Sequence, residues 1–474
     1  MSPPRGAVAS ARAARSLLGL WPHLLVLALF QLGYSGAALG PERLAALYRT
    51  FDDDPVGATL RQPLVALRFQ LLRNGDERLY HAWGALALGA PVDLAFLSSR
   101  SDATVSRAPR VAPAGRALLP YRDFPFEYPP LALLPMVASA AATVDPVAYP
   151  YVFGTLAALA ALAAVLCGER VRLRLEPDAL PRYGLASALA LLLVGFSVEA
   201  RIDVFATALV AGALLAALHD RPLLVGVLLG AGAATKVYPV LLWPALVAPL
   251  VGERRLGEVW RSLGALLAVA GGAAMLGLAA SAEGFVAAMR FQGQRGLQVE
   301  SVGASLFAGV GLLVGAPLGS AHAFGSMDVV GAGPALLAGA LRLLVPLGAL
   351  GAAALALRAS RRRPAGPQLV VDALGLAIAL LWVTSPVLSA QYLLWGVPVL
   401  LLVRPRAARV LYLLALFVTQ IEFPTCWGLV SNLQPAGVVL LLVRNGLLVA
   451  LVVVLARHLL RPRSGLPATV EALP

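Results

Sequence analysis

Acidic and aromatic side chains lie close together in one polar stretch of an otherwise apolar sequence. Asp76 is followed by Tyr80 and Trp83, and Asp123 and Glu127 flank two phenylalanines. A carboxylate held in apolar surroundings can have a raised pKa and act as a general base. If the segment after Asp76 is helical, this acid shares one face with both rings. We therefore predict a catalytic role for these acids. The alternative is that each one is a solvated surface acid or a helix cap.

Charged residues also interrupt the apolar runs farther along the chain. Arg201 and Asp203 stand between two hydrophobic segments, and Lys236, followed by Pro239, breaks the run of residues 223–251. A charge at the bilayer centre costs ~2.5–3.5 kcal/mol on insertion scales, so it usually faces a cavity or a partner. A lysine in a broken helix is well placed to meet a phosphate, although it can also be an interfacial lysine at a helix end. Arg201 and Asp203 fit a functional role and a local ion pair in a tight turn equally well.

The sequence carries no motif for a metal, a cofactor or a nucleotide. Asp52, Asp53 and Asp54 are consecutive, so their side chains do not converge and a turn or helix cap is favoured. Cys167 and Cys426 are far apart and each borders an apolar run, which predicts neither a disulfide nor a metal site. A glycine-rich phosphate loop and a Gly-x-Ser-x-Gly motif are absent from the sequence. We therefore expect neither a metal nor a cofactor.

The elements that must position these residues are membrane helices. The chain has 474 residues, of which 59% are hydrophobic and 13% charged. Runs of roughly 20 apolar residues, the length that crosses a bilayer, recur along the sequence. The sequence predicts an all-α, polytopic membrane protein with about 12 transmembrane helices, in a single domain. The net charge of +13 lies mostly in short loops, without a basic stripe interleaved with aromatics, so we exclude nucleic acid as a partner.

The distribution of Lys and Arg predicts the orientation of the helices. Arg5, Arg12 and Arg15 precede the first apolar run, and residues 457–463 are basic. Both termini are therefore predicted to lie in the cytoplasm. The long polar loop of residues 40–127, which holds the candidate acids, is then predicted to be extracytoplasmic.

Several segments are predicted to be something other than a regular span. Residues 61–73 predict an amphipathic helix on the membrane surface, and residues 98–114 a flexible insert. Residues 128–142 are apolar but short and contain prolines, which predicts a re-entrant or partial helix. A full crossing there would place the basic loop of residues 169–182 outside. Residues 388–403, by contrast, are predicted to be a full span.

Short motifs follow one another along the chain in a characteristic order. They are Asp76-x-x-x-Tyr80, Gly89, Tyr128-Pro129-Pro130, Arg201-Ile202-Asp203, residues 234–239 (Ala-Thr-Lys-Val-Tyr-Pro) and Ser385-Pro386. This order resembles glycosyltransferase family 87 of the GT-C superfamily, polyprenyl-phosphate-sugar-dependent enzymes that include mycobacterial phosphatidylinositol-mannoside mannosyltransferases. The joined motif of residues 120–130 resembles the actinobacterial, largely uncharacterised branch. Two features depart from the pattern: the loop after Gly89 is long, and Gln391 stands where the mannosyltransferases have His.

The resemblance implies glycosyl transfer at the outer face of the cell membrane. A sugar, mannose or another hexose or pentose, would move in one inverting step from a polyprenyl-phosphate donor to an envelope glycolipid or polysaccharide acceptor. Membrane lipids would be the remaining partners. Asp76 would be the general base, supported by Asp123 and Glu127. The residues implied to bind the substrates or the lipid phosphate are Arg201, Asp203, Lys236, Tyr80, Tyr128 and Gln391.

Two other classes of protein share some of these features. A transporter or flippase of a lipid-linked substrate also has interrupted helices and buried charges. The sequence shows no inverted repeat, because the motif of residues 235–239 has no counterpart in the second half. A catalytically silent scaffold for envelope assembly is the third alternative, and the sequence alone leaves all three open.

Overall fold

The computed structural model describes residues 21–38, 76–92, 115–175, 183–362 and 366–461. Several sequence predictions fall outside these residues. They concern the N-terminal arginines, the amphipathic helix, the flexible insert, the three consecutive aspartates and much of the loop of residues 40–127.

Most of the described residues are helical. The α-helices in chain order are α1 Trp21–Ala38, α2 Asp76–Leu88, α3 Leu133–Ala142, α4 Tyr149–Arg174, α5 Tyr183–Val194, α6 Ser197–Ala200, α7 Asp203–Ala217, α8 Pro222–Thr235, α9 Tyr238–Gly252, α10 Leu256–Ala280, α11 Ala282–Gln294, α12 Val302–Leu313, α13 Ala332–Arg362, α14 Pro367–Thr384, α15 Val397–Leu400, α16 Arg406–Gln420, α17 Trp427–Ser431 and α18 Pro435–Leu460. Short 3₁₀ helices cover Pro130–Ala132 and Ala390–Gly396, and a π-helical turn, Ile421–Thr425, extends α16. A small antiparallel sheet has the order β1 (Leu297–Gln298), β3 (Ser326–Val329), β2 (Ser320–Ala323).

Helix length and hydropathy confirm the predicted all-α, polytopic membrane fold. Six helical segments of the described chain are long and apolar enough to cross a membrane: α4, α10, α13, α14, α16 with its π-helical turn, and α18. Helices α7, α8 and α9 are shorter, at 15, 14 and 15 residues. At 1.5 Å per residue, such a helix spans ~22 Å, less than the ~30 Å of a hydrocarbon core. The predicted number of about 12 full spans is therefore not confirmed.

The helices pack through small residues and expose large apolar ones. Helices α8 and α10 approach so closely that a Cβ atom on Gly226 would lie 2.0 Å from the carbonyl oxygen of Ser262. Close contact through Gly and Ala is usual between membrane helices. The outer surfaces of α10 and α13 expose leucines such as Leu276 and Leu336. Exposed apolar side chains on these long helices fit contact with lipid.

The charged loops gather at one end of the bundle, which we call the basic end. Arg174 contacts His219 at 2.8 Å, Arg255 contacts Asp220 at 3.0 Å, and His458 contacts Asp372 at 3.2 Å. Helices α9 and α14 connect this end with the opposite one, in antiparallel directions. We call the opposite end the cavity end, because it contains the large cavity described below.

Residues 388–403 do not form the predicted full span. They form the 3₁₀ helix Ala390–Gly396 and the short α15, and both are largely buried. An apolar run of this length cannot be distinguished by periodicity from a buried segment of the protein interior. Residues 128–142, predicted to be a partial helix, contain the 3₁₀ turn Pro130–Ala132 and the ten-residue α3.

Candidate active site

A cavity of about 780 Å³ opens at the cavity end of the bundle. It lies where the short helices α7, α8 and α9 are interrupted, beside the start of α2 and the end of α14. The hairpin of β2 and β3 contributes His322 and Phe324 to its wall. Of the residues singled out in the sequence, the cavity brings together Asp76, Glu127, Tyr128, Arg201, Lys236 and Gln391.

Asp76 begins helix α2 and is ion-paired with Arg201. Arg201 lies in extended backbone between α6 and α7. This interruption of the helical structure places its side chain at the cavity. The two residues are far apart in sequence, and neither alternative weighed from the sequence foresaw this pairing. An opposite charge favours the ionised form of a carboxylate, which is the form that accepts a proton.

Lys236 is anchored by a buried acid. Its ammonium group donates to Asp203 at 2.6 Å, and the indole N–H of Trp395 donates to the other oxygen of Asp203 at 2.9 Å. The predicted partner of Asp203 in a local turn, Arg201, is instead paired elsewhere. Asp203 itself is buried and acts behind the cavity wall.

Aromatic rings line the wall next to Lys236. Tyr238, Trp395 and Tyr392 form a continuous stack, with ring centroids 3.8 and 4.5 Å apart. The ammonium of Lys236 lies 4.8 Å from the centre of the Tyr392 ring, within cation–π range. Tyr238 begins α9 and the other two rings belong to the 3₁₀ helix, so the stack joins two separate parts of the chain.

Tyr80 and Trp83 do not provide the aromatic surface predicted for them. Both are buried in the core that α2 forms with α3 and α4, and neither borders the cavity. The helical face shared with Asp76 is real, but it packs inward. The hydroxyl oxygen of Tyr80 lies 3.4 Å from the hydroxyl oxygen of Tyr128. Tyr128 does border the cavity. Burial and the nearby carboxylate of Asp76 raise the pKa of Tyr128, so its hydroxyl remains a hydrogen-bond donor.

Asp123 and Glu127 occupy different surroundings. Asp123 does not border the cavity; it receives hydrogen bonds from Arg122 and from the backbone N–H of Leu119. These bonds lower the pKa of Asp123. Glu127 borders the cavity, and its backbone carbonyl accepts a hydrogen bond from Gln292 at 2.9 Å. Of the two acids predicted to support Asp76, Glu127 borders the cavity and Asp123 does not.

Two arginines of the cavity were missed in the sequence. Arg295 follows α11, and its guanidinium donates to the hydroxyl of Tyr392 at 3.4 Å. Arg342 lies on the long helix α13 and donates to the backbone carbonyl of Arg295. The signal that singled out Lys236, a charge inside an apolar run, was also present at Arg342.

Glu300 is a third residue of the cavity wall that was missed in the sequence. One carboxylate oxygen accepts from Gln298 at 2.8 Å and the other from the backbone N–H of Ala390 at 3.0 Å. Burial, and then the neighbouring Glu422, raises the pKa of Glu300 to about 8. Arg444 is ion-paired with Glu422 at 3.0 Å and donates to the backbone carbonyl of Glu300 at 2.7 Å. This buried network ties Glu300 to helix α18.

The site combines a carboxylate, several cations and an aromatic wall in one cavity. A carboxylate can take a proton from an attacking hydroxyl, cations can stabilise a phosphate that leaves, and aromatic faces can pack against a ring. Within the described ranges, no group of three or more His, Cys, Asp or Glu side chains is placed to hold a metal ion.

The part of the chain that forms most of this cavity also matches a known protein family. The model of glycosyltransferase family 87 matches residues 126–386, more than half of the 474 residues. The matched part contains Tyr128, Arg201, Asp203 and Lys236, whereas Asp76 precedes it. No curated protein and no solved structure was found to match the chain. The family match confirms the resemblance seen in the motifs.

Proposed function

Because the chain belongs to glycosyltransferase family 87, we propose that it transfers a sugar from a polyprenyl-phosphate donor to an envelope glycolipid or polysaccharide. The sugar is mannose or another hexose or pentose. The reaction takes place at the outer face of the plasma membrane, with both termini of the chain in the cytoplasm. A membrane glycosyltransferase needs a donor and an acceptor that reach one site, and the cavity of about 780 Å³ brings the candidate acid and the cations together in one place.

Asp76 acts as the general base in this proposal. An acceptor hydroxyl gives its proton to Asp76 while its oxygen attacks the anomeric carbon of the donor. The bond between that carbon and the phosphate oxygen breaks in the same step, so the anomeric configuration is inverted and polyprenyl phosphate leaves. Arg201 fixes the position of Asp76 through their ion pair.

The remaining residues bind and orient the substrates. The phosphate needs positive charge as its bond to the sugar breaks, and the cations that border the cavity are Arg201, Lys236, Arg295 and Arg342. The tyrosines Tyr128 and Tyr392 offer ring faces and hydroxyl groups to the sugar, next to the side chain of Gln391. Glu127 borders the same space and assists in placing the acceptor.

One observation carries the proposal: Asp76, ion-paired with Arg201, faces the same cavity as Lys236 and the stacked aromatic wall. Membranes containing the protein, supplied with labelled polyprenyl-phospho-sugars and extracted envelope lipids, should form a labelled product from one donor. Envelope glycolipids and polysaccharides from a deletion strain and its complemented parent should differ in the same product. Movement of the donor across vesicles without any product would favour the transporter alternative.

The orientation has its own test. Cysteines introduced at Ser99 and Ser360, in a chain whose Cys167 and Cys426 are replaced, should react differently with an impermeant thiol reagent on whole cells. We expect labelling at position 99 and none at position 360 until the membrane is permeabilised. Equal labelling at both positions would overturn the proposed sidedness.

A further inference from the structure

The cations of the cavity fall into two pairs. Arg201 is neutralised by Asp76, and Lys236 by Asp203 at 2.6 Å. Arg295 and Arg342 border the same cavity, but neither forms an ion pair with a carboxylate of the described residues. Their hydrogen bonds within the described residues go to neutral groups, the Tyr392 hydroxyl and the backbone carbonyl of Arg295.

An arginine whose guanidinium contacts no carboxylate is costly where water is limited. The carboxylate of Asp328 acts on Arg295 only from beyond ion-pair contact. The Nε atom of Arg295 is buried and has no hydrogen-bond partner among the described residues. Arg342 lies on α13, which is one of the candidate membrane spans. Charges in such positions are normally paired or serve a site. The local environment therefore favours an anionic ligand at these two side chains.

We propose that Arg295 and Arg342 together bind the phosphate of the lipid-linked donor, whereas Arg201 and Lys236 position the acids Asp76 and Asp203. This inference rests on the proposed function and assigns the phosphate to particular residues. Guanidinium groups match phosphate geometry and can each make two hydrogen bonds to it. The hydroxyl of Tyr392, next to Arg295, adds a further donor.

Helix α13 also offers a place for the lipid chain of the donor. Val345, about one turn after Arg342, borders the cavity, as do Leu241 and Leu381. Leu343 and Leu347 of the same helix are exposed on the outer surface. A phosphate bound by Arg342 thus lies at the junction of the cavity and the lipid-facing surface, where a single prenyl chain can extend along α13.

The shared chemistry is a phosphate attached to a lipid, so the test must separate a polyprenyl phosphate from a phospholipid headgroup. The full-length protein in lipid nanodiscs is titrated with a polyprenyl phosphate, with the matching polyprenol, and with inorganic phosphate. Parallel nanodiscs contain or lack phosphatidylglycerol. The variants are Arg295→Gln, Arg342→Gln and the double variant, with Arg290→Gln as the matched control. Arg290 is an exposed residue of α11 that does not border the cavity.

We expect the double variant to bind polyprenyl phosphate at least about tenfold more weakly, because it loses the charge-assisted hydrogen bonds of both guanidinium groups to the phosphate. The Arg290→Gln variant should bind polyprenyl phosphate as the wild type does. Binding of the polyprenol should be the same in all variants. Unaltered binding of polyprenyl phosphate by the double variant would overturn the inference. So would strong competition by phosphatidylglycerol or inorganic phosphate, which would indicate a general anion site. If the Gln variants do not accumulate, Arg295→Met and Arg342→Met, which also remove the charge, replace them, and a failure of both to weaken binding has the same meaning.

The outcome is separable from the proposed function. If polyprenyl phosphate binds through both arginines but no sugar is transferred, the binding site stands and the enzymatic proposal fails. If the double variant transfers sugar with an unchanged KM for the donor, the enzymatic proposal stands and the assignment of the phosphate fails.

Discussion

The two ends of the helical bundle use the same kinds of charged side chain in opposite ways. At the basic end, Arg255 contacts the carboxylates of Asp220, Glu253 and Glu258, and the cavity it borders measures only about 120 Å³. At the cavity end, Arg295 and Arg342 border about 780 Å³, with no ion pair to a carboxylate of the described residues. Arg255 is thus paired with carboxylates of the protein itself, whereas Arg295 and Arg342 contact no carboxylate of the described residues.

This difference separates charges that serve the fold from charges that serve a ligand. Exposed ion pairs contribute only ~0–1 kcal/mol each, and loops rich in arginine mainly set the orientation of membrane helices. A cation held in a concave, partly apolar space without a counter-ion costs stability unless a ligand supplies the negative charge. Substitutions at the two ends should therefore differ in the kind of effect as well as in size.

The largest effect is expected at Asp76. Asp76→Asn keeps the size of the side chain and removes the base, so the rate of sugar transfer should fall by ~10²–10⁴-fold. Binding of polyprenyl phosphate and the amount of protein in the membrane should be retained. Initial rates of labelled product formation in vesicles measure the effect.

Asp123→Asn is the matched control for that substitution. Asp123 lies outside the cavity and contacts Arg122 at 3.0 Å, so its loss should change the rate little. If the Asp123→Asn variant does not transfer sugar and the Asp76→Asn variant does, the roles of the two acids are exchanged. Full activity in both variants would contradict the base assignment altogether.

The sequence predicted the polytopic fold and singled out several residues that border the cavity of the candidate site, for a clear physical reason. Hydropathy fixes which segments enter a membrane, and charges that interrupt apolar runs, such as Arg201 and Lys236, need partners or a cavity. The partners themselves could not be predicted, because Asp76–Arg201 and Asp203–Trp395 join residues far apart in the chain. Packing also decided that Tyr80 points into the core, since a helical face looks the same in sequence whether it meets protein or ligand.

An intermediate effect is expected at Lys236. Lys236→Gln leaves the buried carboxylate of Asp203 with the Trp395 N–H as its one side-chain donor among the described residues, so we expect a lower Tm and roughly tenfold slower transfer. The double variant Asp203→Asn with Lys236→Gln removes the unpaired acid and should recover most of the Tm. Thermal unfolding in detergent and donor titrations provide both measurements.

The KM for the donor distinguishes a positioning role of Lys236 from direct binding of the phosphate. If Lys236 only positions neighbouring groups, the KM of the Lys236→Gln variant stays near that of the wild type while kcat falls. A rise in KM as large as that in the double variant of Arg295 and Arg342 would make Lys236 a phosphate ligand as well, and the distinction between paired and unpaired cations would fail.

A smaller, pH-dependent effect is expected at Glu300. Its pKa of about 8 in the folded protein lies above the ordinary value of 4.5, so the folded state binds the extra proton between these values. The free energy of unfolding should therefore fall as the pH rises from about 4.5 to about 8. Glu300→Gln removes this titration, and its Tm should depend less on pH across that range. An identical pH dependence in both proteins would show that Glu300 is not the group that titrates.

The smallest effect is expected at the basic end, with the same chemical change that is tested in the cavity. Arg255→Gln removes three ion pairs, but the Arg255 side chain is 33% exposed and Asp220 is 70% exposed. Water replaces such contacts well, so Tm should shift by no more than a few degrees, and the KM for the donor should not change. For Arg295→Gln we expect the opposite result. This substitution removes no ion pair to a described residue, yet it should weaken donor binding. If Arg255→Gln weakens donor binding as much as Arg295→Gln does, the effect follows from lost positive charge in general. The phosphate would then not be recognised by the unpaired arginines of the cavity.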